Sequence, residues 1–309
     1  MTIQQLEYLI ALDLHRNFVR AAAACSVTQP TLSMQVKKLE EEWGVLIFER
    51  GNGPLEPTQL GLEVLKHARR MLAEKQSLED VLASSKESLT GKLNLGVIPT
   101  ISPYLLPRFL HAFAHKHPGL QLLVKEMQSE EIIEALKEGS LDVGLLALPV
   151  EDQDLEEMSL FREPFWFCAS SDYPALDLEA GHFELKENEG PLVLTGGHCI
   201  REQVLKFCGT SEPRDAKVLY EGGSLETLIR LVGKGEGYTL VPELAIPDVQ
   251  PNGVVIREFP EPAPEREIGL IVHHRFVRRR LVEHLGKSIR ENVPSKMLTR
   301  KGMRLSWRT

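Results

Sequence analysis

Phe18-Val19-Arg20-Ala21-Ala22-Ala23-Ala24-Cys25-Ser26-Val27-Thr28-Gln29-Pro30-Thr31-Leu32-Ser33-Met34-Gln35-Val36-Lys37-Lys38-Leu39 reads as two helices joined by a tight turn. The alanines at 21–24 let a neighbouring helix approach closely, and Ser26-Val27-Thr28 is too short and polar to be anything but the turn. Pro30 fits the first turn of the second helix, where its missing N–H costs nothing. Leu32, Val36, Leu39 and Trp43 recur at helical spacing and share one face, and Gly44 ends the helix. Gln29, Thr31, Ser33, Met34, Lys37 and Lys38 are left outward. A helix, a tight turn and a helix with a polar N-terminal face is the helix-turn-helix arrangement, and these side chains are of the types that bond base edges and phosphates. Upstream, Ile3, Leu6, Leu9 and Ile10 form a helical stripe behind a Thr2 cap. Downstream, Leu46 to Arg50 and Leu55 to Thr58 flank Gly51-Asn52-Gly53-Pro54, a two-stranded wing with Arg50 set to reach a phosphate or a minor groove. Residues 1–58 hold five basic and seven acidic side chains, so an amphipathic hairpin with solvated lysines fits the pattern too.

The chain has 309 residues, 26% of them charged and 42% hydrophobic, the balance of a soluble protein of two or three domains. No apolar run is long enough to span a membrane, and Met1-Thr2-Ile3-Gln4-Gln5 lacks the basic start and apolar core of a signal peptide. With only four cysteines the expected compartment is the reducing cytoplasm. Charge is uneven. Residues 91–265 carry 14 basic and 29 acidic side chains, which suits a region that stays off DNA, whereas residues 266–309 carry 12 basic and three acidic.

Arg20-Ala21-Ala22, Thr28-Gln29-Pro30-Thr31-Leu32-Ser33, Val36-Lys37-Lys38-Leu39-Glu40, Gly44-Val45-Leu46-Ile47-Phe48-Glu49-Arg50 and Thr58-Gln59-Leu60-Gly61 resemble, in order, the N-terminal signature of LysR-type transcriptional regulators. The resemblance implies an all-α winged helix-turn-helix over 1–58 that binds double-stranded promoter DNA through Thr28, Gln29, Pro30, Thr31, Ser33, Met34, Lys37, Lys38 and Arg50. It also implies a linker helix over 59–89, with Leu62, Leu65, Ala68, Leu72, Leu78 and Leu82 as the apolar stripe of a homodimer that assembles into a homotetramer. From Thr90 the period changes. Leu93-Leu95-Val97, Leu120 to Val124 and Leu141 to Leu148 read as strands, with helices over 103–117 and 129–137 between them. That βαβαβ order calls for a parallel sheet with ligand-facing loops at strand C-termini. A second α/β unit follows, and Ile268 to Val272 returns to the first. The whole resembles the two-lobed, periplasmic-binding-protein-like α/β regulatory domain of the same family over 90–295: lobe I about 90–164 and 266–295, lobe II about 165–265.

The chemistry centres on Gly197-His198-Cys199-Ile200-Arg201-Glu202-Gln203-Val204-Leu205-Lys206-Phe207-Cys208. Gly196-Gly197 break an apolar run, and Ile200, Val204 and Phe207 recur at helical spacing, so Cys199 falls at a helix N-terminus. That position, with His198 before and Arg201 after, is expected to favour the thiolate, the form that attacks peroxide. Nine residues of helix separate the thiols by ~13 Å, so pairing would require the segment to unwind. On chemistry alone an inert pair is the commoner outcome for two intracellular cysteines, and zinc fits poorly because structural sites want cysteines two to four residues apart.

Gly96-Val97-Ile98-Pro99-Thr100, Pro103 to Pro107, Gly197-His198-Cys199, Phe207-Cys208, Ser224 to Leu228 and Arg266 narrow the resemblance to the peroxide-responsive members of that family. It implies hydrogen peroxide as the signal, Cys199 as the attacking thiol and Cys208 as its disulfide partner, and a change of oligomer geometry on DNA. Thr100 and His198 would place peroxide, and Arg201 and Arg266 would supply positive charge near the sulfur. Ser129 stands where those members carry threonine, keeping the hydroxyl. No cofactor, metal or enzymatic turnover is implied; RNA polymerase and a dithiol reductant are the further partners. A regulator answering a small organic effector between the lobes, with incidental cysteines, is one rival; an enzyme such as a thiol peroxidase, which would leave the first 90 residues without a purpose, is the other. Cys25 and Cys168 read as buried and inert. The basic tail 296–309, with Lys296, Arg300, Lys301, Arg304, Trp307 and Arg308, has three fates open to it: disorder, contact with DNA, or docking on a neighbour's acidic surface.

Overall fold

The computed structural model describes residues 1–49, 55–83, 89–173, 191–209, 220–249 and 253–308. Its N-terminal unit is built by local capping. The Thr2 hydroxyl accepts from Gln5 N–H while the Gln5 side chain accepts from Thr2 N–H, a capping box that starts α1 (Ile3–His15). Asn17 accepts from Val19 and Arg20 to start α2 (Phe18–Ala24), and Thr28 caps α3 (Gln29–Trp43), which has its proline in the first turn. Leu6, Leu9 and Leu12 of α1 share one core with Ala21, Ala22, Leu32, Val36 and Leu39. β1 (Phe48–Glu49) and β2 (Glu56–Pro57) pair antiparallel as the wing, while Arg50 and the turn at 51–54 fall outside the described residues. Buried Glu40 on α3 accepts from the N–H groups of Ile47 and Phe48, at 2.9 and 3.3 Å, and so fixes the wing to the helix.

In α4 (Gln59–Ala83) the expected single stripe is divided. Leu65, Ala68 and Leu72 pack into the unit's own core, and Arg69–Asp13 and Lys75–Glu7 ion pairs hold α4 to α1. Leu62 and Leu78 are exposed, and the side chain of Leu82 lies outside the described residues. The reason is angular. At 100° per residue Leu60, Met71 and Leu78 fall within about 20° of each other and opposite Leu65, so the unpartnered apolar face is theirs.

The second unit runs β3 (Gly91–Val97), α5 (Ser102–Lys116), β4 (Leu120–Glu126), α6 (Ser129–Lys137), β5 (Val143–Leu148), β6 (Leu155–Ser170), α7 (Cys199–Phe207), α8 (Leu225–Val232), β7 (Tyr238–Pro242), a 3-10 turn (Glu243–Asp248), β8 (Val254–Glu258), β9 (Pro264–His273), α9 (Arg279–Glu291), α10 (Ser295–Thr299) and β10 (Met303–Arg304). β3 is flanked in parallel by β4 and β5, as the βαβαβ pattern requires, and β9 returns antiparallel to β5. Every residue of β5 is buried, the mark of a strand covered on both faces. β6 makes the two lobes. From Leu155 to Pro164 it pairs with β9, and from Phe165 to Ser170 it pairs with β7 and β8. The resulting curled sheet is a two-lobed α/β domain, with the ends of β3, β4 and β5 facing the opening between the lobes.

The tail is ordered rather than disordered. It docks on its own chain: β10 adds in parallel to β9, and Met297, Leu305 and Trp307 are buried. Its cations find carboxylates of the same unit, Arg304 with Glu267 at 2.9 Å, Arg300 with Glu261 at 2.7 Å and Lys296 with Glu243 at 2.6 Å.

Candidate peroxide-reactive thiol site

Cys199 is held at a junction of four segments. Gly197 takes φ +89, a left-handed backbone that favours glycine, and the turn closes against the Gln128 side chain at the start of α6. His198 then serves as the N-cap of α7 and Cys199 as its first residue, as the spacing predicts. The turn brings Cys199 against Ser129, the first residue of α6, whose hydroxyl donates to Sγ at 3.4 Å. Both residues are buried.

The cation beside this sulfur is Arg266, on β9 and fully buried. Its Nε donates to Glu163 Oε2 at 2.8 Å and its Nη1 to Thr100 Oγ1 at 2.9 Å; Nη2 also reaches the Thr100 carbonyl at 3.2 Å. Because the Thr100 hydroxyl oxygen accepts from Arg266, its own proton is left to donate elsewhere. Glu163, likewise fully buried, completes itself by accepting from Leu244 N–H at 2.9 Å. Sequence reasoning missed Glu163. The signal was weak: Glu163 sits among the apolar residues of Leu160 to Phe167, but Arg266 has Glu265 and Glu267 as sequence neighbours, which hides its need for a distant carboxylate.

Arg201 does not join the cluster. Its Nη1 donates to the Leu194 carbonyl at 3.0 Å and its Nε lies 3.9 Å from Glu202. Residues two apart on a helix face away from each other, so closeness in sequence to Cys199 carried Arg201 to the opposite side. The expected thiolate is corrected as well. Burial pushes the Cys199 thiol above its ordinary value, and the Ser129 hydrogen bond, the Arg266 charge and backbone hydrogen bonds at Ala147 and Cys199 pull against it without reversing it. His198 is buried with its ring against Gly223, and burial lowers its imidazole pKa while Glu131 pulls the other way. Burial thus favours the neutral ring, which can donate from one nitrogen and accept at the other. It opens onto a cleft of about 420 Å³ lined also by Pro99, Glu126, Gln128, Glu131 and Glu226. Tyr104 of α5 spans the lobes there to Glu226 at 2.8 Å.

Cys208 caps the other end of α7. The helix carries both thiols free, ~13 Å apart along its axis, against the roughly 4.4–6.8 Å a disulfide requires. Nine residues are too few to hold a helix in water, so α7 survives by burying Ile200, Val204 and Leu205. Burial raises the Cys208 thiol to about 11, partly offset by a hydrogen bond from the Tyr238 hydroxyl. Its alkylation in the folded thiol form should titrate near pH 11, against about 8.5 in denaturant. Because the folded value is the higher, this thiol's contribution to stability is whole below about pH 8.5 and lost as pH rises toward 11. A midpoint near 8.5 in the folded protein, read by mass spectrometry, would contradict this burial. Cys168 is buried, with its thiol pushed up to about 12 by burial, while Cys25 is only half-buried at the end of α2.

On α3, Gln29, Pro30, Met34, Lys37 and Lys38 are exposed as expected, and Thr31 and Ser33 half so. Thr28 is exposed too, but its hydroxyl is spent at the helix start, 2.8 Å from Thr31 Oγ1 and accepting from Thr31 N–H. Among the described residues no group of three or more His, Cys, Asp or Glu is set to hold a metal, and no helix is long and apolar enough to cross a membrane.

Comparison with known proteins follows these divisions. The bacterial regulatory helix-turn-helix protein, lysR family, matches residues 3–62, and the LysR substrate binding domain matches residues 86–294. The DNA-binding transcriptional dual regulator OxyR of Escherichia coli K12 is 38% identical over 294 residues, 95% of this chain and 96% of that protein. The hydrogen peroxide-inducible genes activator of Dickeya chrysanthemi is 37% identical over the same shares. Among solved structures, a full-length OxyR variant from Pseudomonas aeruginosa matches with a TM-score of 0.78 at 33% identity, over 95% of this chain and 99% of that one. An H2O2-bound OxyR mutant from Corynebacterium glutamicum matches with a TM-score of 0.62 at 29% identity, over 94% and 92%.

Proposed function

The chain belongs to the LysR family of bacterial transcriptional regulators, and from that membership we propose that it senses hydrogen peroxide through a reversible Cys199–Cys208 disulfide that resets its geometry on promoter DNA. The observation that carries the reading is the Cys199 sulfur buried at the start of a nine-residue helix, between the Ser129 hydroxyl and the Arg266–Thr100 pair. In the first step Sγ bonds one peroxide oxygen, the O–O bond breaks, and the thiol proton leaves with the other oxygen as water. Thr100 donates to the bound peroxide with the proton that Arg266 leaves free, neutral His198 supplies a second contact, and Arg266 balances charge developing on sulfur and oxygen. In the second step the Cys208 sulfur displaces hydroxide from the Cys199 sulfenic acid, and a second water departs. A disulfide cannot form across an intact α7, so the helix unwinds, and the two packings of 199–208 are the switch.

The output is geometric. The face of Leu60, Met71 and Leu78 on α4 suits a second copy, and a tetramer of paired winged helices converts a changed regulatory interface into changed half-site spacing. Gln29, Pro30, Thr31, Ser33, Met34, Lys37 and Lys38 of α3 meet the DNA, Thr28 serves as the helix cap beneath them, and Arg50 extends the contact from the wing. The protein works in the cytoplasm beside RNA polymerase, a dithiol reductant resets it, and it consumes one peroxide per disulfide rather than turning over as an enzyme.

Thiol alkylation and mass spectrometry before and after about one equivalent of peroxide test this, since only an activated thiol should react at that dose. The expected product is a peptide pair linked through Cys199 and Cys208 and released by dithiol, with Cys199→Ser abolishing both the link and the peroxide-dependent change in DNA binding. The cleft of about 420 Å³, lined by Glu126, Glu131 and Glu226, is far larger than peroxide and favours a second reading, a small organic effector. Free thiols after peroxide, with Cys199→Ser still fully inducible in cells, would select it.

A further inference from the structure

Beyond residue 294, where the family match ends, the chain continues into a tail that touches both the reactive thiol's support and the helix that must unwind. The Trp307 indole N–H donates to the Ala147 carbonyl at 2.8 Å, and the Ala147 backbone is itself hydrogen-bonded at Cys199. The Gln203 amide on α7 donates to the Leu305 carbonyl at 2.9 Å. Between these anchors Met303 N–H and Leu305 N–H donate to the Ala263 and Glu265 carbonyls at 2.9 and 2.8 Å, laying β10 along the strand that carries Arg266. We propose that residues 300–308 are a detachable clamp, with Trp307 and Gln203 as positioning residues that hold α7 folded around the Cys199 thiol until oxidation releases them.

Two further observations support a seam built to open. Much of its cohesion is electrostatic: beside the buried Leu305 and Trp307, Arg300, Arg304 and Arg308 pair with Glu261, Glu267 and Glu130. And its satisfaction is incomplete. Gln203 Oε1 and Arg308 Nε are buried and have no hydrogen-bond partner, and Arg300 Nε and Glu265 Oε2 meet only as an ion pair at 3.7 Å, too long for a hydrogen bond, all along this one contact. Buried polar atoms are nearly always paired, so a run of unpaired ones marks a contact that costs little to break.

The coupling follows from the geometry. Gln203 occupies the middle of α7, between the two cysteines, so unwinding the helix for disulfide formation carries its amide away from Leu305. The tail thus binds the thiol form and not the disulfide form, and by linkage disulfide formation weakens tail docking by the same factor that docking opposes the disulfide. Losing one neutral hydrogen bond of this kind corresponds to roughly a five-fold change in the thiol–disulfide equilibrium.

This inference rests on the peroxide reading, and the experiment separates the two. The full-length protein, Trp307→Phe and Gln203→Met are equilibrated with graded glutathione redox buffer, and the Cys199–Cys208 link is quantified by mass spectrometry. The clamp predicts that both variants are more oxidised than wild type at every buffer ratio, each by roughly five-fold. It also predicts that the Met303 and Leu305 amides exchange faster in oxidised than in reduced wild type. A wild type that forms no Cys199–Cys208 link would refute the switch itself. A wild type that forms it, with equally protected tail amides in both states or unshifted variants, would refute the clamp alone. Trp307→Phe keeps a ring in the pocket, and reduced-state amide protection checks that each variant is folded.

Discussion

Replacing Arg266 by methionine is expected to destabilise the second unit by about 3–5 kcal/mol, the cost of stranding a buried charge. The charge left behind is Glu163, fully buried, with Oε2 facing the empty guanidinium site and Oε1 still tied to Leu244 N–H. Thr100 loses two donors at once, to its hydroxyl and to its carbonyl. The same change in the double variant Arg266→Met, Glu163→Leu removes both charges, and the loss of stability should largely disappear, since an apolar pair of similar volume often matches a buried ion pair. The peroxide reaction should not return with it, because nothing then orients the Thr100 hydroxyl or balances charge at the sulfur. Urea unfolding followed by the rate of Cys199 oxidation separates these. If Arg266→Met unfolds at the same urea concentration as wild type, the pair is not the buried unit described here. If the double variant is both stable and fully reactive, Arg266 holds the fold and takes no part in the chemistry.

What could be read from the sequence was local. Thr2, Thr28, Pro30 and Gly44 announce helix ends because capping acts within four residues, and the structure puts helix boundaries where they fall. The βαβαβ region was legible for the same reason, and the bounds 129–137 for α6 coincide with the structure. Errors arose where a conclusion needed distance through space. Arg201 was assigned to the sulfur on proximity along the chain, and helical geometry turned it away. Glu163 went unseen because its partner is 103 residues distant. The thiolate expectation weighed the helix start and the cations and left out burial, which proved the larger effect on Cys199. The tail was judged by its composition alone. Its acids lie elsewhere in the same unit, and only folding sets Arg300, Arg304 and Arg308 among them. The linker stripe failed more subtly: a spacing of three or four residues keeps a face for a few turns, and over 25 residues it splits into an inner and an outer face.

Gly61→Val is the sharpest test of how the winged unit is assembled. The Thr58 hydroxyl donates to the Leu46 carbonyl and accepts from Gly61 N–H, both at 2.8 Å, while Thr58 N–H donates to the Ile47 carbonyl at 2.9 Å. These bonds draw the first turn of α4 so near the wing that a β-carbon on residue 61 would lie 2.0 Å from the Ile47 carbonyl oxygen. That atom belongs to the backbone and cannot rotate aside. Moving Ile47 also pulls its N–H, and that of Phe48, from the Glu40 carboxylate, leaving buried polar groups unpaired. Overpacking alone costs about 1–3 kcal/mol, and each stranded group adds about 1–3 kcal/mol. Gly61→Val should therefore melt the N-terminal unit well before the second unit and abolish the salt-dependent DNA binding expected of α3 and the wing, with the Cys199–Cys208 chemistry untouched. Gly61→Ala, with the same first clash and less bulk behind it, should weaken both properties in the same order. A valine variant that melts as wild type and binds DNA with the same salt dependence would mean that α4 and the wing do not meet this closely.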